Sequence, residues 1–309
     1  MKPLDTLNPC EISSSDLVRS YVRQSVSENT RRAYRADLKH FTAWGGIIPA
    51  SDVMVAEYLV EHAGELSIAT LTRRLASISK THAAKGLLSP TKSELVKSTM
   101  RGIKRAHAAP QRAAQPLLVE DLMRIMAMLG DDVKDVRDRA LLLTGFAGGF
   151  RRSELVGLNV DDLEWVRQGL VIHLRRSKTD QEGQGRKVGV PYARGRWCPV
   201  ESLKAWITIA EIEGGPIFRP VTRHERIQDA RLSAEAINGV VKERVGAIGM
   251  DPKQFSGHSL RAGLATSAAQ AGVATWKIRQ QTGHASDAML ARYIRDGELF
   301  TDNASSALL

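Results

Sequence analysis

The residues of this sequence best suited to chemistry are a dispersed set of arginines, histidines, a lysine and a tyrosine. Arg151 stands in Gly149-Phe-Arg151-Arg-Ser-Glu154-Leu, after an apolar helical run and a Gly-Gly turn. An arginine at such a helix start projects a planar fork of donors into a cleft. The fork suits phosphate, because it gives two parallel hydrogen bonds and never loses its charge. His258-Ser-Leu-Arg261 sets a histidine and a second arginine three residues apart, on one helical face. His284 follows Gly283, and Tyr293 comes nine residues later. Lys178 lies in Ser177-Lys-Thr-Asp180, between two β-rich runs. Taken singly, each residue has a plainer use. A helical arginine is commonly a surface ion pair, a late helical tyrosine sits at the wet edge of a core, and a loop lysine is solvated. The ordered combination is far more specific than its parts.

Other chemistries lack their residues. There is no G-x-x-x-x-G-K-[ST] loop, no H-E-x-x-H pair and no G-x-S-x-G elbow. The eight histidines are scattered without metal-ligand spacing. ATP-driven, zinc-dependent and classical hydrolase readings are set aside, and neither a cofactor nor a metal is expected. Cys10 and Cys198 are the only cysteines, too few for a disulfide framework and suited to a reducing cytoplasm. No apolar run reaches membrane-spanning length, and the N-terminus lacks the apolar stretch of a secretory signal. Hydrophobic residues make up 43% and charged residues 25%, enough to bury a full core. The net charge of +10 favours a polyanionic partner, most simply nucleic acid.

The elements that must position these residues fall into two pieces. Residues 108–116, with two prolines and no apolar periodicity, read as an extended linker. The 107 residues before it carry a net charge of +6 and the rest +4, so the smaller piece is more basic. Residues 1–107 read as all-helical. After Ser27-Glu-Asn-Thr30, Tyr34, Leu38, Phe41 and Trp44 form one apolar stripe, with Arg31, Arg32, Arg35 and Lys39 on the wetter side. A helix over 68–85 turns Leu71, Leu75 and Ile78 inward and Arg73, Arg74 and Lys80 outward. A third, over 93–107, carries Lys97, Arg101, Lys104 and Arg105. A charge run is ordinarily a solvated face, but three helices of the same sign favour a DNA backbone contact surface. Residues 117–309 read as mostly helical, with helices near 118–129, 136–146, 200–212, 233–245, 258–271 and 286–295. A β-hairpin joins 169–174 to 186–190. The fold class expected is mainly α: a helical domain followed by a mostly helical one with a small antiparallel sheet.

The ordered set resembles the tyrosine recombinase (phage integrase) family, which carries R-x-x-E, a hairpin lysine, H-x-x-R, a His or Trp and then a tyrosine. Here these are Arg151 and Glu154, Lys178, His258 and Arg261, His284 and Tyr293. Residues 27–44, SENTRRAYRADLKHFTAW, resemble the opening of the family's core-binding domain. Lys187 and Arg186 lie in the same hairpin as Lys178 and compete with it for the lysine's place.

The resemblance implies a SAM-like core-binding domain over 1–107, a catalytic domain over 117–309, and a site-specific recombinase that cuts and rejoins duplex DNA. Tyr293 would attack and store the phosphodiester as a 3′-phosphotyrosyl link. Arg151 and Arg261 would clamp the non-bridging oxygens, so that no metal is needed. Lys178 would protonate the leaving 5′-oxygen, His258 would act as base, His284 would hydrogen-bond the phosphate, and Glu154 would orient Arg151 or His258. Arg31, Arg32, Arg35, Lys39, Arg73, Arg74, Lys80, Arg101 and Lys104 would contact DNA. The two domains could close on duplex DNA as a clamp, in the cytoplasm of a prokaryote and with no membrane involved. The tail after Tyr293, with Leu299, Phe300, Leu308 and Leu309, either packs on its own domain or passes to a neighbour in a homotetramer. A type IB topoisomerase-like nicking-closing enzyme and a catalytically silent DNA-binding regulator are the alternatives.

Overall fold

The computed structural model describes residues 17–22 except Arg19, 25–107, 114–175 and 185–284, together with 286–288, 290, 291 and 293. Lys178, Cys10, residues 108–113 and the tail after Tyr293 lie outside the described residues. The chain divides into two compact units, Met1–Gln111 and Arg112–Leu309.

In the first unit, the helices α1 (Glu28–Ala43), α2 (Asp52–Glu61), α3 (Ile68–Ala84) and α4 (Glu94–Ala106) follow one another. Each starts after a serine. The hydroxyls of Ser27, Ser51, Ser67 and Ser93 each accept the backbone N–H three residues on, which satisfies a donor the helix cannot. The helices close on Phe41, Tyr58, Leu59, Leu71, Ile78, Val96 and Met100. Tyr34, Leu38, Trp44 and Leu75 are only half-buried. α2 is an addition to the expected set. Its run DVMVAEYLVE is apolar on more than one face, so Val53 and Val60 stay exposed while Val55, Ala56, Tyr58 and Leu59 are buried.

The expected basic surface needs correction on α3. Asp37, on α1, is buried. A lone carboxylate there would be costly, and α3 answers it with two arginines. Arg73 donates from Nε and Nη2 to both Asp37 oxygens, at 2.9 and 2.8 Å, and Ser77 adds a third bond at 2.9 Å. Arg74 is 8% exposed and donates to the Tyr58 hydroxyl at 2.6 Å. Arg74 is therefore not an outward DNA contact, and the Arg73 fork is already committed to Asp37. Arg32, Arg35, Lys39, Lys80 and Lys104 are exposed as expected. Arg31 pairs with Glu28, and Arg101 with Glu94 and Ser98.

In the second unit, Gln115 N–H donates to the Gln254 carbonyl at 2.8 Å and Leu117 N–H to Ser259 at 2.9 Å, so the chain is anchored from Gln115 onward. The described elements are α5 (Val119–Met128), α6 (Val133–Ala147), α7 (Arg152–Gly157), β1 (Leu163–Val166), β2 (Gly169–Leu174), β3 (Arg186–Pro191), α8 (Pro199–Ile209), α9 (Ala234–Ala247), α10 (His258–Gln270) and α11 (Thr275–Thr282). The fold is mainly α with one small sheet, as expected. The sheet is antiparallel in the order β1-β2-β3, so the hairpin gains a strand. β2 pairs Gly169 with Pro191 through to Leu174 with Arg186. Leu170, Ile172, Leu174, Val188 and Val190 are buried. By the two-residue period of a strand, Arg186 shares their face and Lys187 points the other way, beside His173. α11 is a second unexpected helix. Only Ile278 and Thr282 of its eight residues are buried, so it shows no apolar stripe.

The main core runs from Leu117 to Leu260 and includes Phe150, Trp206 and Phe218. It also contains a closed group of charges. Arg137 donates to Asp138 at 2.9 Å through Nε, and Arg244 reaches Asp138 at 2.6 Å and Asp135 at 2.5 Å. A smaller cluster of Ala265, Ala269, Ile278 and Leu290 seats the segment that carries Tyr293.

Candidate active site

Side chains from four parts of the chain come together. Gly149, at φ 58°, is a left-handed turn between α6 and α7, and a Cβ there would meet Leu264 and Thr282 at 2.9 and 3.0 Å. Glycine at that turn lets Arg151 become the residue that caps α7. The Glu154 carboxylate accepts the Arg151 backbone N–H at 2.9 Å and its Nη1 at 2.5 Å. Arg151 Nη2 also donates to the Gly283 carbonyl at 3.2 Å. The arginine is thus oriented from both ends of its side chain. Glu154 has no bond to His258 among the described residues, so its orienting role falls on Arg151.

His258 and Arg261 come from the first turn of α10, on one face. Arg261 is 2% exposed. Its Nη1 donates to the Gly149 carbonyl at 2.8 Å and to that of Thr282, tying the α6 turn to the end of α11. Burial and the neighbouring Arg151 lower its pKa to about 10, so it stays charged at neutral pH. The His258 imidazole meets Tyr293 directly, with Nε2 at 2.8 Å from the phenol oxygen. Burial, then Arg261, Arg151 and Arg152, lower the His258 pKa. The lowered pKa favours the neutral imidazole against the phenol.

His284 sits on the other side of Tyr293, the two ring centroids 5.8 Å apart. Burial first, then Arg261 and Arg151, lower its pKa to about 3. Its Nδ1 lies 2.7 Å from the Thr282 hydroxyl. The Thr282 hydroxyl donates to the Ile278 carbonyl at 2.7 Å, so its oxygen is placed to accept from a proton on His284 Nδ1. Gly283, at φ 65°, makes the left-handed turn that ends α11 and presents His284.

Arg151, Glu154, His258, Arg261, His284 and Tyr293 therefore meet. Lys178 lies outside the described residues, while Lys187 is exposed on the sheet face turned from the buried side. The site also holds Arg186, which the sequence offered only as a rival for the hairpin lysine's place. Its Nη2 donates to Glu154 at 3.3 Å and its Nη1 to the Gln281 carbonyl at 2.8 Å. Strand alternation was the signal that could have placed it on the buried face. Among the described residues no cluster of three His, Cys, Asp or Glu could hold a metal ion. No described helix is long and apolar enough to cross a membrane.

Two arginines, a histidine against a phenol and a buried imidazole thus stand together. Residues 115–298 match the model of the phage integrase family. The chain is 40% identical over 294 residues to the integrase/recombinase XerD homolog of Selenomonas ruminantium, covering 92% of this chain and 86% of that protein. It is 26% identical over 299 residues to the recombinase Cre of Escherichia phage P1, covering 89% and 86%. Among solved structures, a lambda integrase fragment in a dimer bound to a COC′ core site has the same fold, with a TM-score of 0.65 and 18% identity over 92% of this chain and 95% of that one. The chain belongs to the phage integrase family, the tyrosine recombinases, and its activity is site-specific recombination.

Proposed function

We propose that the chain cleaves and rejoins duplex DNA with Tyr293 as its nucleophile. The observation that carries this reading is the 2.8 Å contact between His258 Nε2 and the Tyr293 hydroxyl, beside Arg151 and Arg261. The phenol passes its proton to His258 as its oxygen bonds to the scissile phosphorus. The bond from phosphorus to the 5′-oxygen breaks in line, and Lys178 protonates that oxygen. The products are a 3′-phosphotyrosyl link and a free 5′-hydroxyl. A 5′-hydroxyl from another strand then attacks the link, and Tyr293 recovers its proton. The phosphodiester is conserved throughout, so the exchange draws on no external energy source.

Charge builds on the non-bridging oxygens as the nucleophile joins. Arg151 and Arg261 meet it in a desolvated site, where fixed donors act most strongly. His284 adds a hydrogen bond to the same phosphate when its ring proton is on Nε2. The exposed Arg32, Arg35, Lys39, Lys80 and Lys104 of the first unit hold DNA through its backbone, and this affinity falls steeply with salt. Exchanging two duplexes breaks four strands. With one Tyr293 per chain, that requires four chains, which supports a homotetramer on two synapsed sites. The tail after Tyr293 passes between neighbours, and the assembly works in the cytoplasm.

The test is covalent capture. The protein is incubated with a library of sheared genomic duplexes, stopped with SDS, and the linked DNA is sequenced. The expected result is an SDS-resistant adduct that marks one site and one polarity and disappears in Tyr293→Phe. No adduct, or an undiminished one in Tyr293→Phe, overturns the reading.

A further inference from the structure

Arg186 is a half-buried charge of the site that the reaction above leaves without a task. It opens β3 on the strand face that carries Val188 and Val190 inward. One end of its fork donates to Glu154 Oε2 at 3.3 Å, while Arg151 holds Oε1 at 2.5 Å. The other end donates to the Gln281 carbonyl at 2.8 Å and reaches that of Gln280 at 3.4 Å, where the α11 carbonyls run out of helical partners. The guanidinium lies close against Gly283, where an added Cβ would stand 2.8 Å from Arg186 Cζ. Arg186 thus touches both supports of the site: the carboxylate that orients Arg151 and the turn that presents His284.

The charges explain why a third arginine is useful. Glu154 alone with Arg151 would form a neutral pair, and its negative charge would weaken the field of an arm meant for phosphate. With Arg186 on the second oxygen, two guanidiniums share one carboxylate, and Arg261 stands beside them on the carbonyls of Gly149 and Thr282. The surplus is two positive charges. The attacked phosphodiester gathers further negative charge in the transition state, which a positive surplus among these four side chains favours.

We propose that Arg186 is a positioning residue for strand cleavage: it holds Glu154 and the end of α11, so that Arg151 keeps its aim and the site keeps its positive surplus. The proposal rests on the reading of Tyr293 given above. It assigns Arg186 no contact with DNA.

The experiment compares two duplexes carrying the cleavage sequence recovered by covalent capture. One has the ordinary scissile phosphate, the other a methylphosphonate, which has no charge on its non-bridging oxygen. Single-turnover strand cleavage is measured for the unsubstituted protein, Arg186→Met and Arg186→Lys, alongside DNA affinity and thermal unfolding. On phosphate, Arg186→Met slows cleavage by about 10²-fold, the scale of a misaligned reacting group. On methylphosphonate the loss shrinks by about an order of magnitude, because less charge needs balancing. Arg186→Lys keeps the charge without the fork and falls between, and DNA affinity is unchanged for both. A merely structural role would cut both substrates equally. Equal losses, an unimpaired variant, or a loss explained by weaker DNA binding would each overturn the proposal. If Arg186→Met does not fold, Arg186→Lys carries the same comparison. If the unsubstituted protein cleaves neither duplex, the reading of Tyr293 fails and this proposal falls with it.

Discussion

The second unit buries two arginine clusters, and they are built to opposite ends. In the core, Arg137 and Arg244 face Asp138 and Asp135, two cations against two carboxylates. In the candidate site, Arg151 and Arg186 share Glu154, and Arg261 is held by the backbone carbonyls of Gly149 and Thr282. The two clusters shift arginine in opposite directions. Burial works against the charge of Arg244, yet Asp138 and Asp135 together carry its pKa upward. Burial and Arg151 take Arg261 down to about 10. A balanced cluster spends its charge on the fold. An unbalanced one, with its surplus held by backbone carbonyls and a single carboxylate, is suited to an anion. Buried arginine alone marks neither; the count of carboxylates around it does.

Substitutions can break or sharpen that contrast. The largest effect is expected in the balanced cluster. Asp138→Ala leaves Arg137 and Arg244 short of a carboxylate and costs about 3–5 kcal/mol of stability, read by denaturant unfolding. An unchanged unfolding midpoint would show that the core cluster is not held by its charge balance. Arg261→Ala in the unbalanced cluster should cost less stability than Asp138→Ala but slow single-turnover cleavage by about 10²–10³-fold. A variant that cleaves normally would remove Arg261 from the transition state.

Acid should separate the clusters as well. His284 has an unfolded pKa near 6.5 and a folded one of about 3, so the unfolded chain binds the extra proton between those values. The contribution of neutral His284 is intact above about pH 6.5 and is lost as pH falls toward 3, at up to about 1.4 kcal/mol per pH unit. His284→Gln should flatten the stability profile in that window, and an identical slope would contradict it. The smallest effect falls on the support of that ring. Thr282→Val removes one hydrogen bond to Nδ1, worth about 0.5–1.5 kcal/mol, and should slow cleavage by about twofold to tenfold. No change would mean that Thr282 does not set the His284 tautomer.

Much of the site was legible because its chemistry is carried by local spacing. Arg151 with Glu154, His258 with Arg261, and His284 nine residues before Tyr293 are short-range patterns, and they name the groups that meet. Arg186 was not legible as a support, because its task depends on Glu154 and the end of α11, which only the fold brings to it. Arg74 was misread for a related reason. Helical periodicity assigns a face by apolar residues and cannot see the polar network of Asp37, Tyr58 and His40 that receives a cation inside. β1 reads Leu-Glu-Trp-Val, whose Glu164 and Trp165 are both exposed, so it lacks the alternation that revealed β2 and β3. Strong apolar stripes were visible, and the elements held by tertiary contact were not.

The most direct measurement is the chemistry of the covalent link. The protein–DNA adduct is digested with nuclease and protease, and the peptide that retains a nucleotide is sequenced by mass spectrometry. The account predicts the nucleotide on Tyr293, joined through its 3′-phosphate. A nucleotide on Tyr192 or another residue, or a 5′-linkage, would contradict it.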